Sequence, residues 1–165
     1  MHRLIPSMAL VLAVCGCSSV APPSTPVPAT PADQRAAAPA ALAVERRWLQ
    51  SWFEGTPVRI AQGAYGAVSV EVPREFSFEP GQSRVKPPLV AVLDKVADSL
   101  RRRPQARLTQ LAAPDDAASA GPLGLQRASQ IRQHLLARGV PAVQLGKPSA
   151  TSAPLVQLRL EAAPA

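Results

Sequence analysis

Apolar positions recur along this chain with two periods. Over residues 67–72, Val68, Val70 and Val72 alternate with Ser69 and Glu71, the pattern of a half-buried strand, and Pro73 limits it. From Pro88 onward Leu89, Val92, Leu93, Val96 and Leu100 return every three or four residues. Asp94, Lys95 and Asp98 fall on the other side, so a helix is predicted that Pro104 ends. Residues 106–111 (ARLTQL) predict a second strand. Ala128, Ile131 and Leu135 form the stripe of a second helix over about 123–138, with Gly139 as its stop. Val156, Leu158 and Leu160 alternate with Gln157 and Arg159 in a last strand over 155–161. The order strand, helix, strand, helix, strand predicts a small two-layer α+β domain, a mixed sheet containing parallel pairs with both helices on one face.

The chain ahead of this domain reads differently. In "LAVERRWLQSWF" (42–53) Leu42, Leu49, Trp52 and Phe53 share one side of a helix, Glu45, Arg46 and Gln50 lie elsewhere, and Gly55 and Pro57 stop it. Two readings of Trp48 and Trp52 stay open: packing on the domain behind, or contact with a membrane surface or partner. Residues 18–41, "SSVAPPSTPVPATPADQRAAAPAA", hold little that builds a core and predict a disordered or polyproline-like tether. Fully extended, such a segment reaches roughly 70 Å.

At the start, Arg3 precedes an apolar run over residues 4–14, too short for a bilayer, which needs roughly 20 residues, but right for an export signal. The expected organisation is a signal peptide over 1–16, a linker over 17–41, an amphipathic helix over 42–57 and the domain over 58–165.

Composition sharpens this picture. With 165 residues, 19 of them Pro, and 4% aromatics, the chain has material for one small core beside non-globular segments. A net charge of +7 would point to nucleic acid in an intracellular protein, and export argues against that partner. The run Arg101, Arg102, Arg103 falls at a predicted helix end, where the dipole favours cations, and reads as a solvated terminus. Catalysis finds no support. His2 and His134 make no metal cluster, Ser83 and Ser129 have no His and Asp in a recognisable arrangement, and no phosphate-binding glycine loop or metal-ligand spacing occurs.

Both cysteines, Cys15 and Cys17, lie in the leader, and "VCGC" resembles the lipobox of bacterial lipoproteins, with small Gly16 before the residue to be acylated. The resemblance implies lipidation at Cys17 and a membrane anchor there. By resemblance to the sorting pattern of enterobacterial lipoproteins, Ser18 in the next position, where an Asp would signal the inner membrane, implies the periplasmic face of the outer membrane.

In "FSFEPGQSRVKPPL" Phe76, Phe78, Ser83, Val85 and Pro87 stand in the order that opens the OmpA-like C-terminal domain. "ARLTQLAAPDD" is similar to that family's strand and its Gly-His-Thr-Asp turn, and "LGLQRASQIRQHLLARGV" to its Leu-Ser-x-x-Arg-Ala helix. The chain thus resembles a divergent OmpA-like domain over about residues 67–161. That implies non-covalent binding of peptidoglycan, with Asp115 and Arg127 holding the zwitterionic end of a diaminopimelate residue of the stem peptide. Helix-terminus amides near residues 123–125 would add donors for its carboxylate.

Arg127 also stands out without the family, because a cation in the first turns of a helix opposes the dipole and calls for an anion nearby. The residues themselves leave a second reading open, an internal pair of Arg127 with Asp115 or Asp116 that ties the loop down. Ala112, Ala113 and Pro114 replace the family's Gly-His-Thr, Ala120 a usual Asn, and Ala153, Pro154 and Leu155 an Asn-Arg-Arg run. These departures set a second function beside the first, a scaffold that has lost peptidoglycan and meets an envelope protein.

Overall fold

A computed structural model describes residues 30–163. The signal peptide, Cys17 and the tether up to residue 29 lie outside the described residues. Five strands, β1 (Arg59–Gln62), β2 (Val68–Pro73), β3 (Ala106–Pro114), β4 (Pro148–Thr151) and β5 (Leu155–Ala162), form one sheet in the order β1-β2-β5-β3-β4. Four helices join them: α1 (Pro31–Phe53), α2 (Arg74–Ser77), α3 (Pro87–Arg102) and α4 (Pro122–Ala137). The architecture is the expected α+β, with one parallel pair, β3 with β4, in an otherwise antiparallel sheet.

The alternation read from the sequence places the core. Val68, Val70 and Val72 of β2 and Val156, Leu158 and Leu160 of β5 point to one face, with Val70 opposite Leu158 and Val68 opposite Leu160. Leu108 of β3 also faces Leu160, and a register shift between Leu108 and Gln110 brings Leu111 opposite Leu158. This bulge inserts one residue and returns the strand's next apolar side chain to the core face. Leu89, Val92, Leu93, Val96 and Leu100 of α3 and Ala128, Ile131 and Leu135 of α4 close over that face. The opposite face carries polar residues such as Glu71, Arg107, Thr109 and Arg159.

Helix α4 stops as its sequence predicts. Gly139 takes φ 81°, and the Val140 N–H reaches back to Leu135 O at 3.1 Å, the arrangement of a glycine-ended helix.

Three features depart from the sequence reading. Helix α1 begins at Pro31, so residues 31–41, expected in the linker, are helical. Pro31 suits the first turn of a helix and Ala36, Ala37, Ala38, Ala40 and Ala41 favour its continuation, whereas Pro39 within it removes one backbone donor. Second, the buried side of α1 holds Leu42, Glu45 and Leu49 with Trp48 packed against the core, whereas Trp52 is 53% exposed.

Third, at the basic end of α3 the arginines stay partly exposed, with Arg101 paired to Asp98, while Arg102 and Arg103 also close a clasp that the sequence did not show. Glu45, 3% exposed, accepts bonds from Ser99 Oγ (2.9 Å), Arg102 Nη2 (2.8 Å) and Arg103 Nε (3.1 Å). Arg102 also lies 3.9 Å from the centre of the Trp48 ring, and Lys95 3.6 Å from that of Trp52. No helix among the described residues is long and apolar enough to cross a membrane.

Candidate functional site

The residues singled out in the sequence meet where β3 ends and α4 begins. Past Pro114 the chain leaves the sheet, and Asp115 turns back on the helix that follows. Its Oδ2 accepts the Leu123 and Gly124 N–H groups at 3.1 and 3.3 Å, and its Oδ1 accepts the Asp116 N–H at 2.7 Å. The first amides of a helix have no partner within it and carry partial positive charge, so a carboxylate satisfies both needs there. Partial burial pushes the Asp115 carboxyl up, but backbone N–H groups of Asp116, Gly124, Ala117 and Leu123 outweigh it and hold it below its ordinary value. The amides expected to receive a ligand carboxylate are thus held by Asp115 itself.

Two glycines make this possible. Asp115 Oδ2 lies against Gly121, where a Cβ would displace it. A Cβ on Gly124 would stand 2.8 Å from Ala113 O and 3.1 Å from Ala150 Cβ, so the absence of a side chain lets α4 seat on the parallel pair.

Arg127 lies on the inner side of α4 and is 0% exposed. Its Nε donates to Gln82 O (2.8 Å), its Nη1 to Pro114 O (2.9 Å) and its Nη2 to Glu79 O (3.0 Å). The same Nη2 meets Asp116 Oδ1 at 2.8 Å, and the guanidinium sits 4.9 Å from the Phe78 ring centre. Four of the five N–H groups of this side chain thereby have partners. The cation joins three separate pieces of chain: the turn over residues 79–82, the end of β3 and α4.

Asp115 and Arg127 flank Pro114 and share no hydrogen bond or ion pair; the partner of Arg127 is Asp116. That carboxylate also accepts the Gly81 N–H. The Gly81 N–H, then the bond from Arg127, depress the Asp116 carboxyl against its partial burial, and the charges of Arg127 and Arg74 add to this. Arg74, just past β2, donates from Nη1 to Asp115 O (3.1 Å) and Asp116 O (2.8 Å) and so fixes the loop from the other side. Cys17 lies outside the described residues.

Beside Asp116 opens a cleft of about 340 Å³ lined by Arg74, Glu75, Phe78, Glu79, Pro80, Lys86 and Asp116. Lys86 Nζ crosses it to Glu79 Oε1 at 2.8 Å and Glu75 O at 2.9 Å. Both signs of charge therefore stand on its rim, an arrangement that suits a small zwitterion. The hydrophobic pattern carried no signal for Arg74, at the start of the four-residue helix α2, or for Glu79 and Gln82, whose backbone carbonyls lie outside any helix or strand. The tandem Asp115-Asp116 was visible, but nothing in one sequence says which acid meets the arginine.

The fold has close counterparts among solved structures. A MotB-like protein from Desulfovibrio vulgaris superposes with a TM-score of 0.63 at 15% identity, over 78% of this chain and 98% of the other. The periplasmic domain of Helicobacter pylori MotB gives 0.55 at 16% identity, over 64% of this chain and 85% of the other. The cell wall anchor of the T6SS from Pseudomonas aeruginosa gives 0.55 at 16% identity, over 70% and 95%. No family model matches the chain, and no curated protein matches it in sequence. The structural likenesses establish the fold as that of an OmpA-like domain.

Proposed function

We propose that this protein is an exported lipoprotein that links the outer membrane to peptidoglycan, fixed in the membrane through acylated Cys17 and at the wall through its OmpA-like domain. The observation that carries the reading is the superposition, over 70% of this chain, on a protein described as a cell wall anchor. The cleft beside Asp116 supplies chemistry that fits. The ammonium of a diaminopimelate-type stem peptide would face Asp116 and Glu79, and its carboxylate Arg74 and Lys86, whose charge-assisted bonds are the strong ones. In this reading Asp115 and Arg127 work from behind the rim. Asp115 orders the start of α4, and Arg127 holds Asp116 at the mouth of the cleft. The role is one of binding, without catalysis.

Co-sedimentation of the purified protein with peptidoglycan tests this, at low and at high salt. A basic chain is drawn to an anionic polymer by charge alone, and salt removes that attraction. Binding that survives high salt and drops at least tenfold in both Asp116→Asn and Arg74→Gln, with circular dichroism unchanged, supports the reading. Binding that salt abolishes, or that both substitutions leave intact, rejects it.

A second reading also has an observation behind it. The seat that Arg127 and the Gly81 N–H offer to a carboxylate is filled by Asp116, and the amides of α4 by Asp115. A domain whose anion seats are filled internally is a scaffold for envelope protein contacts, and its co-sedimentation would fail in every variant.

A further inference from the structure

The cleft at Asp116 does not end there. It shares Glu79 and Lys86 with a hollow of about 460 Å³ that adds Gln82, Arg84, Val85 and Pro87. That hollow in turn shares Gln82, Arg84 and Val85 with a cleft of about 640 Å³ between the 82–85 segment and α4, where Val90, Gln130, Gln133, His134 and Ala137 complete the wall. The three make one trough leading away from Asp116.

The far end of the trough is chemically unlike the near end. Near Asp116 the cations Arg74, Lys86 and Arg127 all have partners within the protein. Among the described residues, the side chains of Gln82, Arg84, Gln130 and Gln133 make no hydrogen bond or ion pair, so their polar groups are free to receive a ligand. No acidic residue lines this end, and His134 is turned to Asp94 at 2.8 Å. Val85, Val90 and Ala137 supply an apolar floor with no aromatic ring for a sugar to stack on. The Gln82 carbonyl is pinned by Arg127 at 2.8 Å, so the backbone of this lining residue is fixed while its side-chain amide has no partner among the described residues.

We propose that this end of the trough is a second contact for an acidic peptide whose zwitterionic end lies at Asp116, with Arg84 gripping a carboxylate of that peptide and Gln82, Gln130 and Gln133 pairing its amides. The proposal rests on the peptidoglycan reading and extends it from one residue of the stem to several. A guanidinium fork matches a carboxylate in bidentate fashion, and a glutamine amide offers both donors and an acceptor to a peptide bond.

The test is calorimetric titration of the full chain in detergent with the free stem tetrapeptide released from purified peptidoglycan. The same tetrapeptide with its mid-chain carboxyl amidated, and the disaccharide-bearing form, serve as the other probes. Arg84 is exposed and unpaired, so Arg84→Ala leaves the fold intact. The expected result is about tenfold weaker binding of the tetrapeptide by Arg84→Ala and no change for the amidated one. Equal binding of the tetrapeptide by wild type and variant overturns the proposal while the wall reading stands. An Arg84→Ala effect seen only with the disaccharide-bearing form assigns the trough to glycan and overturns it too. Wild type that binds none of the probes overturns both.

Discussion

The Asp116 carboxylate stands 2.8 Å from the Arg127 guanidinium, and this pair is what allows a fully buried cation in the first turns of α4. A charge at that depth is stable only when its desolvation is offset on every side, here by one carboxylate and three backbone carbonyls.

Truncating Arg127 therefore leaves four acceptors without their donor. We expect Arg127→Ala to lower stability by about 3–5 kcal/mol, the range for breaking a buried pair from one side. Arg127→Lys recovers little of this, because an ammonium has no planar fork to span Gln82, Pro114 and Glu79. Urea denaturation of the two variants beside wild type measures it; near-wild-type midpoints would show that the contacts are slack.

Gly124→Ala improves helix propensity yet is expected to destabilise by about 1–3 kcal/mol, the cost typical of forcing an extra carbon into a packed site. The new Cβ would meet Ala113 O at 2.8 Å, and backbone there has no room to yield. A rise in the thermal midpoint would contradict the close seating of α4 on β3.

Acid should unfold the domain through particular carboxylates. Burial raises Glu45, but bonds from Arg102, Ser99 and Arg103 lower it further, and Asp115 and Asp116 are likewise depressed. A group depressed in the folded state adds stability above its unfolded pKa, about 3.9 for Asp and 4.3 for Glu, and that stability is lost as pH falls through the folded value. The thermal midpoint should stay level down to about pH 5 and fall below about pH 4. Glu45→Gln should start lower at neutral pH and drop less steeply; melts followed by circular dichroism across that range decide it.

Helix α1 is part of the domain's stability, unevenly along its length. Leu49 is fully buried, and Leu49→Ala should cost about 2–5 kcal/mol. Trp52→Ala removes a half-exposed ring under Lys95 and should cost about 0.5–1 kcal/mol. Equal losses at the two positions would mean that α1 docks through its tryptophans instead of through its leucines.

Period alone revealed α3, α4, β2 and β5, since each buries one regular stripe. The strands β1 and β4 escaped it, because four residues at a sheet edge with hardly a buried side chain carry no alternation. The clasp on Glu45 was unreadable for a related reason, as a carboxylate on a helix looks solvated until its partners, more than fifty residues away, come into place. Arg127 gave the better signal. Its place near a helix start demanded an anion, and the structure supplies Asp116, one of the two neighbouring acids the sequence offered.

The join between α1 and α3 has a mechanical consequence. Tension applied at the Pro31 end of α1 travels down the helix and first meets the sheet-covering layer at Leu42 and at Glu45, held by Ser99, Arg102 and Arg103. Only beyond that do Leu49 and the bond from Gln50 to Ile60 O carry the load to β1. Peeling must break this ionic latch, just past Leu42, before it reaches Leu49 and β1, so the acidity and salt around the domain help set the force at which it lets go.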